Sequence, residues 1–130
     1  LAIKASSTPA LQGNTNGGTI ADYTPAGADP DYTFSVPATT AEFGFTPEGT
    51  DIHQRYLNNA FSTCGVGSSD DADACWDALS TTNRTISART SANTPSGTVT
   101  TVKFRTILGS QNITVDDTYT ATTTLTVIAL

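Results

Sequence analysis

Apolar side chains recur at every second position over several short stretches of this chain, and that period of two predicts strands rather than helices. Leu1, Ile3 and Ala5 share one face of the first stretch, with Ala2 and Lys4 on the other. Tyr32, Phe34 and Val36 alternate with Thr33 and Ser35, and after Pro37 a second strand carries Phe43 and Phe45 on either side of Gly44. Arg84, Ile86 and Ala88 alternate with Thr85 and Ser87, and Thr100, Val102, Phe104, Thr106 and Leu108 form one face opposite Val99, Lys103 and Arg105. A short run from Ile113 to Val115 precedes Asp116-Asp117. In the final stretch Tyr119, Ala121, Leu125, Val127 and Ala129 share a face. Asn16-Gly17-Gly18, Pro95-Ser96-Gly97 and Gly109-Ser110 are turn signals, and the region from Gly13 to Pro30 reads as one long loop. Strands and turns at this spacing predict an all-β, Ig-like antiparallel β-sandwich.

The period changes between about 50 and 80. Ile52, Tyr56, Asn59 and Ala60 fall at helical spacing behind a cap at Thr50 or Asp51. Asp70 and Asp71 precede a second such run through Ala72, Ala74, Cys75, Trp76 and Leu79, with acidic residues where a helix dipole favours them. The expected domain layout is therefore residues 1–12 as an N-terminal extension or first strand, and residues 13–130 as the sandwich. The latter carries a short helical insertion over about 50–80, which would hold Trp76 over the core.

Composition strengthens the reading of sheet. The chain holds 26 Thr and 11 Ser in 130 residues, while only 14% of residues are charged. Thr is β-branched, so it loses rotamer freedom in a helix and packs well on a pleated surface. Its hydroxyl also replaces charge as the solvating group. A net charge of −6, with Lys4, Arg55, Arg84, Arg89, Lys103 and Arg105 the only basic side chains, argues against binding nucleic acid or anionic lipid. No apolar run is long enough for a membrane span. The chain begins at Leu1 and contains no Met, which predicts that an N-terminal segment has been removed, as export would do. Cys64 and Cys75 fit the same expectation as a disulfide outside the cytosol, with two buried free thiols as the alternative.

The closing segment Asp117-Thr118-Tyr119-Thr120-Ala121-Thr122, continuing through Leu125-Thr126-Val127, resembles the last strand of secreted bacterial β-sandwich subunits of the fimbrial and spore-coat-U-like kind. That resemblance implies an Ig-like subunit of a surface filament or coat, in which an extension of one copy completes the sheet of the next. Strand addition of this kind needs an extended donor with alternating apolar residues and an acceptor edge. Leu1, Ile3 and Ala5 have the donor pattern, though they equally suit a first strand of their own sheet. Leu125, Val127, Ile128 and Leu130 make the end of the chain an acceptor edge or a second sticky segment.

Candidate chemistry is sparse. The single His53, without a nucleophile elbow or a second His, predicts no enzyme and no cofactor. Glu42 and Glu48 lack a cleft between them. Asp70, Asp71, Asp73 and Asp77 are a weak calcium candidate that helix capping explains as well. Asn83 and Asn112 satisfy the glycosylation sequon. The expected function is a structural subunit of an extracellular filament, pilus or surface coat, with copies of itself as partners and a surface glycan as a further one. The alternative is a secreted monomeric carbohydrate- or protein-binding module with its site near Trp76.

Overall fold

A computed structural model describes residues 1–91 and 96–128, so Pro95 of the expected turn and Ala129 and Leu130 of the last stretch lie outside it. Among the described residues the chain forms nine strands: β1 Ala2–Ala5, β2 Leu11–Gly13, β3 Thr19–Asp22, β4 Ala41–Gly49, β5 Asp77–Ala78, β6 Arg84–Thr85, β7 Thr100–Leu108, β8 Tyr119–Ala121 and β9 Thr123–Thr126. They make two sheets, one in the order β6-β1-β9 and one in the order β5-β4-β3-β2-β8, with β7 paired to β4.

The longest pairing is the antiparallel β4–β7 ladder, which runs from Ala41 opposite Leu108 to Gly49 opposite Thr100. Because β7 matches every residue of β4, it takes one edge of that strand. The other edge is shared by β3, in parallel, and β5. The two sheets are joined where β1 and β2, separated by the bends of residues 6–10, lie against β9 and β8, separated only by Thr122, whose O accepts from Ser6 N at 2.9 Å.

Alternation places Phe43 and Phe45 on the inner face of β4, where they pack with Ile3, Ala5, Leu11, Ile20, Ile52, Tyr56 and Ile86 in the main core. Gly44 points the other way, and a second cluster of Tyr23, Phe34 and Trp76 sits against it. Tyr23 stacks on Phe34 at 4.2 Å, Trp76 meets Phe34 edge-on at 5.2 Å, and the Arg105 guanidinium covers the Trp76 ring at 4.4 Å. A β-carbon on Gly44 would lie 2.8 Å from Phe34 Cε2 and 2.9 Å from Tyr23 Cβ, so only glycine lets these rings approach the strand.

The expected helical insertion over 50–80 is absent. Its one helical element is a single 3₁₀ turn, Gln54–Tyr56. Helical spacing is overridden by local polar groups and backbone handedness. Asn59 Oδ1 accepts from the N–H groups of Phe61, Ser62 and Thr63, and Asn58 pairs its backbone with Ser69. Ala60, Asp73 and Cys75 all have positive φ, which interrupts any α-helix. Instead of a helix, Asp77 and Ala78 form β5. The disulfide is present, with Cys64 and Cys75 both buried. The loop expected from Gly13 to Pro30 contains β3, whereas the runs at Tyr32 to Val36 and Ile113 to Val115 are not strands.

Candidate functional site

The site is built from three strands that each have one partner among the described residues. Among the described residues β7 pairs with β4 alone, β9 with β1 alone and β8 with β2 alone, so each has one open edge. Side-chain direction shows what these edges enclose. Phe104 lies opposite Phe45 and shares its inner face, yet Phe45 is 0% exposed and Phe104 46%. Leu125 lies opposite Ile3, and there the contrast is 55% against 1%. Side chains that point into a core but remain half in water mark a place where that core is not covered.

The gap has a floor. Phe104 stacks on Phe43 at 5.9 Å between ring centres, and these rings with Leu11, Ala121 and Thr123 line a cavity of about 270 Å³. No charged side chain lines it. The basic residues of β7, Lys103 and Arg105, fall on the opposite face, where Lys103 Nζ reaches Glu48 Oε1 at 2.8 Å and Asp73 Oδ1 at 3.1 Å. The groove is thus neutral and apolar, with backbone groups along both rims. Such a surface suits an extended uncharged segment rather than an ion or a reacting group.

Beyond the described residues 127 and 128 the sequence continues with Ala129 and Leu130, so the proposed acceptor edge is placed only in part. Leu125 lies on β9 opposite Ile3, and Val127 and Ile128 follow it exposed, outside any strand. The N-terminal segment is seated in its own sheet: β1 lies between β6 and β9, with Ile3 and Ala5 buried, and Leu1 O accepts from the N–H groups of Ile86 and Ser87.

The four acidic residues of the calcium candidate do not converge. Asp70 accepts from Gly49 N at 2.7 Å, Asp71 from the Tyr32 hydroxyl at 2.9 Å, and Asp73 pairs with Lys103. Asp77 is buried and turned inward, where it accepts from Arg55 Nε at 3.0 Å, Arg84 Nη1 at 2.6 Å and the Tyr56 hydroxyl at 2.9 Å. Burial alone would raise the Asp77 carboxyl, but the hydrogen bonds and charges of Arg55 and Arg84 outweigh it and hold the group below its ordinary value. The same burial, reinforced by the Asp77 charge, keeps the Tyr56 phenol protonated well above its usual range. This cluster ties the 3₁₀ turn, β5 and β6 together; it is a structural hub.

Compared with known proteins, the chain matches no family model, no curated protein and no solved structure.

The remaining sequence candidates are dispersed. Trp76 is buried beneath Phe34 and Arg105, so its ring offers no stacking face to a sugar. Among the large aromatics, Phe61 is the most exposed, on the disulfide-bonded loop. His53 Nδ1 accepts from Arg55 N at 3.2 Å. Glu42 is buried and accepts from Thr24 N at 2.8 Å, whereas Glu48 pairs with Lys103. Asn83 is exposed in the turn before β6, while the Asn112 amide nitrogen is engaged with Thr39 O at 3.0 Å. Phe104 was legible as an inward residue of β7. Its role in a groove was not, because exposure depends on which strand edges meet.

Proposed function

We propose that this chain is a structural subunit of an extracellular filament, pilus or surface coat, in which copies join by adding an extended segment of one to the open side of the next. Its two sheets are read as an Ig-like sandwich that lacks one strand between β7 and β8–β9. The reading rests on one observation: Phe104 and Leu125 point inward from two open-edged strands and are still about half exposed. An added strand would pair its backbone with a rim and bury apolar side chains against Phe104, Phe43 and Leu11, removing the liability that a long free edge carries. The buried Cys64–Cys75 bond fits an oxidising, extracellular setting. No observation favours the monomeric binding module over this reading.

The test is assembly itself. The intact protein should form species whose size grows with concentration in gel filtration and light scattering. Phe104→Lys, which places an ammonium in the groove without disturbing a fully buried residue, should remain a folded monomer by circular dichroism. An intact protein that stays monomeric at millimolar concentration would sink the reading.

A further inference from the structure

Two acidic side chains are buried among the described residues, and their charges are met differently. Asp77 faces the guanidinium groups of Arg55 and Arg84, whereas Glu42, only 5% exposed, has no basic side chain within ion-pair distance among those residues. Glu42 Oε2 accepts from Thr24 N at 2.8 Å. For Oε1 the donor is the Thr40 hydroxyl at 3.3 Å, whose single proton also faces Pro37 O at 3.4 Å, so this oxygen holds at most a long and shared hydrogen bond. A carboxylate taken out of water with one full hydrogen bond and no counter-charge is unfavourable. Alternation along β4 puts Glu42 on the face opposite Phe43, away from the apolar groove.

The same carboxylate lines a cavity of about 490 Å³ between residues 24–26 and 35–37. Pro25, Val36 and Pro37 give it apolar walls, and Thr24 and Ser35 add hydroxyl oxygens on exposed residues that leave it open to solvent. We propose that this cavity binds a primary ammonium carried on an aliphatic stem, whether of a lysine side chain or a free alkylamine, with Glu42 as its counter-ion. An ammonium has three donors, which Glu42 Oε1 and the two hydroxyls can accept, while the stem lies along the proline and valine walls. A guanidinium fits less well, because its planar fork wants both carboxylate oxygens and Oε2 is already engaged by Thr24 N. A calcium ion would need about six to eight oxygen ligands, more than one carboxylate and two hydroxyls supply. A neutral hydroxylated ligand would leave the buried charge uncompensated. This site stands apart from the strand-addition reading and does not depend on it.

The experiment titrates the full chain with n-butylammonium chloride and follows the backbone amides by heteronuclear NMR, with the Thr24 N–H, hydrogen-bonded to Glu42, as the direct reporter. Saturable shifts at Thr24, Ser35 and Val36 are expected. Potassium chloride at the same ionic strength, and n-butanol, which has the stem without the charge, should leave these amides in place. Glu42→Gln keeps the shape and removes the charge, and should weaken binding by about tenfold or more, with circular dichroism as the fold control. If that variant does not fold, Ala26→Lys decides instead: it leaves Glu42 intact and supplies a tethered ammonium from an exposed residue of the lining, so the response to butylammonium should disappear. Nα-acetyl-lysine methylamide separates the two sources, since tighter binding than butylammonium assigns the site to a lysine side chain and weaker binding assigns it to a free amine. Equal responses to butylammonium and butanol, a folded Glu42→Gln that binds as tightly as the intact protein, or an undiminished response in Ala26→Lys would each overturn the proposal.

Discussion

At the scale of single residues, Asp77 is the position on which most depends. One buried carboxylate accepts from two arginines and a phenol, Arg55 and Tyr56 from the 3₁₀ turn and Arg84 from β6. Truncation by Asp77→Ala would leave the buried Tyr56 hydroxyl without an acceptor, while Arg55 and Arg84, each partly exposed, could turn toward water. The expected loss is about 3 kcal/mol in urea unfolding, near the lower end for a broken buried ion pair. Because the folded carboxyl lies below its ordinary value of 3.8, its contribution is complete above that pH and is lost as pH falls through the folded value. The urea midpoint should therefore drop as the medium is acidified below about 3.8, and Asp77→Asn should flatten that part of the profile. A midpoint in the intact protein that is level across this range would contradict the assigned hub. None of this network was visible in sequence. Asp77 looked like one more member of an acidic run, and only the fold separates it from Asp70, Asp71 and Asp73 by turning its side chain inward.

At the scale of elements, the contrast is between strands that obey their pattern and a segment that does not. β4 and β7 alternate cleanly, and the register puts Phe43 and Phe45 on one face with Val102 and Phe104, as the period of two requires. The stretch from 50 to 80 has apolar residues at helical spacing but also Asn58, Asn59, Gly65 and Gly67. Side-chain amides that capture backbone N–H groups, and residues at positive φ, prevail over a spacing that covers barely two turns. Lacking regular structure, this segment is held by cross-links: the Cys64–Cys75 bond, the bridge between Asn58 and Ser69, and the Asp77 hub. Replacing both cysteines by serine should cost about 3 kcal/mol, as expected for a closed loop of this length. The loss should appear in hydrogen exchange first at the amides of residues 57–69, while the β4–β7 ladder keeps its protection. Equal loss in both places would mean that the disulfide holds the sheets and not the loop.

At the scale of the whole molecule, charge and shape act in opposition. Copies with net charge −6 repel, yet no charged side chain lines the groove. Screening shortens the repulsion without weakening apolar contact, so assembly measured by light scattering should strengthen as salt rises from about 0.01 to 0.15 M. Weaker assembly with salt would point to an interface made by ion pairs. The alternating pattern predicted an all-β chain and located β4 and β7 with the residues that face inward, because pleat geometry makes those properties local, while it also placed a strand at Tyr32–Val36 that is absent and a single run from Tyr119 that is divided at Thr122. The excess of Thr over charge pointed the same way. Tertiary structure alone decided that the 50–80 region is a cross-linked loop, that Trp76 is sealed beneath Arg105, and that β1 is held within its own sheet. It also left Phe104 and Leu125 uncovered. Whether an inward side chain is buried depends on which strands stand at the edges, and strand order is a relation between distant parts of the chain that no local pattern encodes.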